Sequence, residues 1–171
     1  MVTADLSSPV DATRSDAAAP SETRWLTDEE QQTWRAWLLS TQLLQERLER
    51  ELTRESGISL AYYEILVRLS EAPDRMLRMS QLAEACLSSR SRLSHAVSRL
   101  EERGWIQRRN CPEDGRGQFA MLTDEGFAAL QEAAPVHVES VRRHLFDQLT
   151  REQQDALRDV GETLVAHLNG P

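Results

Sequence analysis

The sequence contains no lysine: its 20 basic residues are all arginines, and with 28 acidic residues they give a net charge of −8. No apolar run approaches the roughly 20 residues that a membrane-spanning helix requires, so no membrane partner is expected. The first 24 residues carry early acids and no apolar stretch, a pattern that does not fit a secretory signal peptide. These absences predict a cytoplasmic protein.

Cysteine is also scarce, since Cys86 and Cys111 are too few for a disulfide framework. The sequence has no phosphate-binding glycine loop, no HExxH motif and no plausible spacing of nucleophile and base, so we expect neither an enzyme nor a cofactor. His137 and His144 are seven residues apart, which on a helix corresponds to about 10.5 Å of rise. That separation is too large for one metal ion, so no metal site is expected within one chain, while a site shared between two copies of the chain stays open.

The positive charges are concentrated in one segment of the chain. Residues 75–116 hold nine arginines and five acids, a net charge of +4, which leaves −12 on the remainder. A basic segment in an acidic chain indicates a local site for a polyanion, with the rest of the chain repelling nonspecific contacts. On charge alone, an ordinary solvated face explains the segment equally well.

The helices are signalled by apolar periodicity and by capping side chains. Residues 1–24 have no apolar periodicity and predict a disordered N-terminal tail. Thr27 and Glu30 form a capping box at the start of a long amphipathic helix, which Gly57 ends. The other predicted caps at helix starts are Ser59, Ser80, Thr123 and Thr150.

The period of the sequence changes after Gly104. Residues 105–111 predict a strand, residues 112–117 a turn, and residues 118–122 the returning strand of a β-hairpin. The hairpin follows two helices, 81–86 and 90–103, that are joined by a short turn. The sequence therefore predicts a mainly α fold with a small β-hairpin wing, in which a winged helix-turn-helix is flanked by long N- and C-terminal helices.

The second helix of this motif has two different faces. Leu93, Ala96, Val97 and Leu100 form one apolar stripe, so the opposite face is polar and basic. Arginines near the positive end of a helix cost some stability, unless a polyanion favours them there. The N-terminal part of such a helix enters the major groove of DNA, where arginine pairs with guanine. The predicted DNA-binding residues of this segment are Ser89, Arg90, Ser91, Arg92, Ser94, His95 and Arg99.

The tip of the hairpin supplies a second predicted contact. Asp114, Gly115, Arg116 and Gly117 form a tight turn with an arginine near its end. Glycines allow the tip to approach a groove closely, and arginine suits the negative potential of a narrow minor groove. We therefore add Arg116 to the predicted DNA contacts, together with Asp114, which can pair with an arginine and orient it.

With these features the sequence resembles the MarR family of bacterial regulators. The matching stretches are SQLAEAC (80–86), SHAVSRLEERGWIQRR (94–109), PEDGRG (112–117) and LTDEG (122–126). The resemblance implies a MarR-type domain over residues 25–168, with a winged helix-turn-helix at 59–122 and dimerisation helices at 25–56 and 124–168. It further implies a homodimer that binds a pseudo-palindromic operator in double-stranded DNA.

The resemblance also implies a repressor that a small effector, often aromatic and anionic, releases from DNA. Candidate residues for the effector pocket are Trp25, Trp34, Tyr62 and Tyr63, although aromatic residues at helical spacing also fit a core. Two alternatives remain open from the sequence. One is a redox-responsive regulator that uses Cys111 or Cys86, and the other is a winged-helix module that binds protein instead of DNA.

Overall fold

The computed structural model describes residues 23–110 and 117–170, and this part of the chain is mainly helical, as predicted. Short 3-10 turns at Pro73–Arg75 and Phe146–Gln148 join some of the elements. In chain order the helices and strands are α1 (Asp28–Ser56), α2 (Leu60–Ser70), β1 (Met76–Arg78), α3 (Met79–Ala85), α4 (Arg90–Glu102), β2 (Ile106–Asn110), β3 (Gln118–Leu122), α5 (Asp124–His144) and α6 (Arg151–Leu168).

The chain divides into two units, Met1–Ala36 and Trp37–Pro171. In the described part of the first unit, the Thr27 hydroxyl accepts the Glu30 N–H at 3.2 Å, and the Glu30 carboxylate accepts the Thr27 N–H at 2.8 Å. This capping box starts α1 as predicted. The tail predicted to be disordered, residues 1–24, lies outside the described residues except for its last two.

The core of the second unit lies among the end of α1, helices α2 to α5 and the small sheet. Its fully enclosed residues are aliphatic and come from every one of these elements, so one apolar cluster holds them together. The most deeply buried are Leu52, Leu66, Leu69, Leu82, Leu93, Val97, Leu100, Ile106, Ala120 and Ala133.

The sheet has three antiparallel strands in the order β1-β3-β2. The predicted hairpin is present, with Ile106 opposite Leu122 and Asn110 opposite Gln118. Strand β1 is added to the free edge of β3, with Met76 opposite Met121. The sheet therefore connects the segment before α3 to the hairpin that follows α4.

Side-chain caps start most of the helices as the sequence predicts. Helix α3 is the exception, because it begins at Met79 with Arg78 as its N-cap. The Gln81 side chain accepts the Arg78 N–H at 3.2 Å, and this bond allows the helix to begin before Ser80, whose predicted capping role is wrong. The caps that form as predicted are Ser59, Thr123 and Thr150, whose hydroxyls accept N–H groups of Tyr62, Gly126 and Gln153.

The start of α5 packs directly on the segment that follows α4. The Thr123 N–H donates to the Trp105 carbonyl at 3.0 Å, and the Thr123 hydroxyl donates to the Gly104 carbonyl at 2.7 Å. A Cβ atom on Gly126 would lie only 2.2 Å from the Trp105 carbonyl oxygen. Only glycine therefore allows this approach, which explains the glycine of the LTDEG stretch.

Helix α1 is tied to α5 by a buried polar cluster around Glu51. Its carboxylate accepts the Ser140 hydroxyl at 2.6 Å and lies 2.8 Å from His144 Nε2 and 3.8 Å from Arg143 Nη1. The hydrogen bonds from Ser140 and His144 lower the pKa of Glu51 despite its burial. Glu51 is therefore held as a carboxylate in the structure.

The two ends of the second unit expose large apolar side chains. Helix α6 has no buried residue among those described. Among the residues described, no helix combines the length and apolar character needed to cross a membrane. The exposed apolar side chains at the two ends are Trp37, Leu38, Leu39 and Leu43 on α1, and Val160, Leu164, Val165 and Leu168 on α6.

Candidate nucleic-acid interface

Helix α4 presents a polar face because its apolar face is anchored in the core. Leu93, Val97 and Leu100 are at most 2% exposed and lie on one side of the helix. All seven residues predicted to contact DNA from this segment are exposed: Ser89, Arg90, Ser91, Arg92, Ser94, His95 and Arg99. The structure thus brings them together along one accessible surface.

The N-terminus of α4 is an electropositive end. The Ser89 hydroxyl caps it by accepting the Arg92 N–H at 3.3 Å, and the first turn contains no acidic residue. The positive end of the helix dipole therefore lies beside Arg90 and Arg92. A phosphate or another anion is the natural partner of such an end.

Arg99, further along the same helix, is paired in the free chain. Its Nη1 atom donates to Glu102 at 2.9 Å, and both side chains are more than half exposed. An exposed pair of this kind is worth little. Arg99 can therefore exchange Glu102 for a phosphate at small cost.

The predicted contacts at the wing tip, Asp114 and Arg116, lie outside the described residues. Strands β2 and β3 are described up to Asn110 and from Gln118, so the hairpin that carries the tip is in place. An open groove of about 410 Å³ lies between α3, α4 and the base of this hairpin. It is lined by Arg78, Met79, Ser80, Arg90, Ser94, Gly117 and Gln118.

Two arginines that bear on this surface are absent from the contacts predicted from the sequence. Arg78 lines the groove beside Arg90. Its position at the start of the first helix of the motif could have indicated this placement. Arg108 extends from β2 to α4 and is bonded to Glu101, Ser94 and Ser98. The alternation of side chains along the strand could have indicated this inward position, because it places Arg108 on the same side as the buried Ile106.

The aromatic residues predicted for an effector pocket have different surroundings. Tyr63 is buried with its ring 4.6 Å from that of His137, and burial raises the pKa of Tyr63 and lowers that of His137, which favours the neutral form of both side chains. Tyr62 is partly buried, and the Arg103 guanidinium lies 5.7 Å from its ring. Trp25 and Trp34 belong to the first unit and are exposed.

Cys86 lies at the C-terminal end of α3 and is a free thiol. Burial, with a smaller contribution from Glu64, raises the pKa of Cys86 to about 11. The thiolate that reacts with oxidants is therefore scarce at neutral pH, which disfavours Cys86 as a redox sensor. Cys111 lies outside the described residues.

A helix-turn-helix followed by an antiparallel hairpin, with a basic face on its second helix, defines the winged-helix class of DNA-binding proteins. Comparison with known proteins narrows this class. The model of the MarR family matches residues 56–117. The structure of Sco3205, a MarR family transcriptional regulator from Streptomyces coelicolor in complex with DNA, is 48% identical with a TM-score of 0.83, and the match covers 88% of this chain and 94% of that one.

Two further relatives are also transcriptional regulators. AbsC, a MarR family transcriptional regulator from S. coelicolor, is 44% identical with a TM-score of 0.80, over 87% of this chain and 100% of that one. The transcriptional repressor MprA of Escherichia coli K12 is 27% identical over 131 residues, which are 77% of this chain and 73% of MprA. The chain belongs to the MarR family and is a transcriptional regulator, not an enzyme.

Proposed function

We propose that the chain is a homodimeric repressor that binds a pseudo-palindromic DNA operator through α4 and the hairpin wing and is released by a small ligand. The observation that carries this proposal is the exposed, acid-free N-terminal face of α4 on a helix anchored in the core. The DNA complex of the 48% identical Sco3205 supports DNA binding, and the name of MprA supports repression.

Within this interface we assign two kinds of contact. Arg92 and His95 lie one turn apart on the exposed face of α4 and read base edges in the major groove. Contacts to phosphates fix the position of the protein without reading sequence. The remaining proposed contacts are Ser89, Arg90, Ser91, Ser94 and Arg99 on the helix segment, with Asp114 and Arg116 at the wing.

The dimer is supported by the apolar side chains that α1 and α6 leave exposed, such as Leu43 and Leu164. Exposed apolar side chains of this kind are typical of a protein interface, and a second copy supplies the same apolar side chains in return. In this proposal residues 25–56 and 124–168 form the dimer interface. A two-fold dimer then reads two half-sites about one helical turn apart.

Selection from randomised duplex DNA, followed by fluorescence anisotropy with the enriched duplex, tests the interface. We expect tight binding that weakens steeply with salt. Arg92→Ala should relax the base preference, whereas Arg116→Ala should weaken binding with little change in preference. Arg68→Ala, an exposed arginine on α2, is the control and should bind normally. Failure of the protein to enrich any sequence would overturn the proposal.

The effector is proposed to be an aromatic carboxylate. Arg103 beside Tyr62 offers the cation that such an anion requires, and Trp25, Trp34 and Tyr63 are the other candidates. An effector of this kind should raise the melting temperature and lower operator affinity together, because the two ligands favour different states. Substituting Arg103 or Tyr62 should abolish both effects, while a screen in which no compound produces both contradicts this part of the proposal.

A further inference from the structure

We propose that Arg108 is a positioning residue for DNA recognition. It fixes α4 against β2, so that the side chains of α4 and the wing engage one DNA site together, and it does not contact DNA itself. The inference rests on the proposed DNA interface of α4, and it adds a residue that sets the geometry of that interface.

The contacts of Arg108 join two elements at several points. Its Nη2 atom donates to the Ser94 carbonyl at 2.8 Å and to the Ser98 hydroxyl at 3.0 Å. Its Nη1 atom donates to Glu101 Oε2 at 3.3 Å, and its backbone N–H donates to Glu101 Oε1 at 3.2 Å. One residue of the wing thus holds three residues of α4.

The three partners lie along one flank of the helix. Ser94, Ser98 and Glu101 are spaced as i, i+4 and i+7, which covers about 10 Å of the helix axis. The bond to the Ser94 carbonyl acts on the main chain, so it restricts the translation and the rotation of α4 relative to β2. The planar guanidinium reaches all these acceptors at once, which a lysine ammonium on a flexible stem does not reproduce.

The guanidinium is directed into the protein. The Arg108 side chain is 21% exposed, and its buried Nε atom has no hydrogen-bond acceptor among the residues that the structure describes. The next residue, Arg109, is exposed and is bonded to Gln107 at a long 3.5 Å. Consecutive arginines on one strand therefore have different surroundings, and Arg109 is a matched control.

This arrangement separates two effects on DNA binding. Loss of the Arg108 contacts frees α4 to shift, so base contacts that depend on its position weaken while contacts to phosphates can readjust. We expect Arg108→Met to lower the ratio of specific to nonspecific affinity by about tenfold to hundredfold. The slope of log affinity against log salt should stay unchanged, because no phosphate contact is removed.

The test uses the full-length protein, a duplex enriched from randomised DNA by the wild type, and a scrambled duplex. Arg108→Met and Arg108→Lys should both lose specificity, with Lys recovering only part of it, whereas Arg109→Met should leave the specificity ratio unchanged. An unchanged ratio in Arg108→Met would overturn the role of Arg108. Wild-type protein that enriches no sequence would instead overturn the proposed DNA function.

A second variant covers the case in which Arg108→Met unfolds at the assay temperature. Ser98→Ala removes one acceptor from the Arg108 network and introduces a strong helix former, so α4 remains folded. We expect it to lower the specificity ratio by about threefold with an unchanged salt slope. Full specificity in Ser98→Ala, in the absence of a folded Arg108→Met, would also overturn the inference.

Discussion

Helices α4 and α6 are both amphipathic, but they bury different amounts of their apolar faces. In α4, Val97 and Leu100 are fully buried within the chain. In α6, Leu164 is 42% and Leu168 is 76% exposed, and no described residue of the helix is buried. The same sequence periodicity thus produces one helix whose apolar face is buried by its own chain and one whose apolar face is left exposed.

The difference indicates which face of each helix is available to a partner. With its apolar side in the core, α4 offers a polar and basic face, which is suited to a polyanion. With its polar side in solvent, α6 offers an apolar face, which is suited to another protein. The two helices are therefore expected to respond in different ways to the same kind of substitution.

Truncation of a core leucine should have the largest effect. Leu100→Ala removes a fully buried side chain, and we expect it to lower the free energy of unfolding by about 2–5 kcal/mol. Leu164→Ala in α6 is the matched variant and should cost about 1 kcal/mol or less in dilute protein. Urea denaturation at two protein concentrations measures the free energy of unfolding of both variants. If the two variants lose the same free energy at both concentrations, the proposed difference between α4 and α6 is contradicted.

A charge on the apolar face of α6 should separate the dimer. Leu164→Glu should reduce the molecular mass in light scattering from about twice 19.5 kDa to 19.5 kDa. Operator affinity should fall by about a hundredfold, since the second half-site is no longer bound by a linked copy. Ala166→Glu places the same charge nearly opposite on the helix and should leave both quantities unchanged. A Leu164→Glu protein that retains the doubled mass excludes α6 from the interface.

The buried cluster around Glu51 predicts a pH dependence of stability. Because the pKa of Glu51 is lowered in the folded chain, its stabilising effect is present above the ordinary value of 4.5 and is lost as the pH falls through the folded value. Glu51→Gln should therefore cost about 1–2 kcal/mol at neutral pH and progressively less in acid. Urea midpoints from about pH 3 to pH 7 measure this, with the exposed Glu139→Gln as the control. A cost of Glu51→Gln that does not vary with pH would exclude the carboxylate as its cause.

The smallest expected effect concerns the cap of α4. Ser89→Ala removes the acceptor for the Arg92 N–H and should cost about 1 kcal/mol of stability. The exposed Ser91, within the helix, is the matched control, and Ser91→Ala should not lower the melting temperature. If the two variants melt alike, the hydroxyl of Ser89 does not stabilise the helix start.

Local features of the fold were predictable from the sequence. The caps at Ser59 and Thr123 reach only three residues along the chain, so their bonds depend on the local sequence alone. The predicted cap at Ser80 is wrong because the Gln81 side chain accepts the Arg78 N–H, so the helix already begins at Met79. The polar face of α4 was predictable too, because three buried residues at helical spacing determine which face remains exposed.

Features that depend on contacts between elements were not predictable in the same way. The pairing of β1 with β3 joins Met76 to Met121, which are far apart in the sequence. Arg108 and Arg109 are the same residue type in adjacent positions, and only the packing of β2 on α4 separates their environments. Composition therefore located the basic segment, but it did not show which of its arginines is internal.

The contact between Gly126 and Trp105 makes the domain sensitive to a single methyl group. A side chain at position 126 would act as a wedge between the first turn of α5 and the Trp105 carbonyl. Because no predicted DNA contact lies at this position, alanine or serine there would provide conditional alleles. Cells that carry them would keep the regulator active when cool and lose it on warming, which allows the regulated genes to be switched by temperature alone.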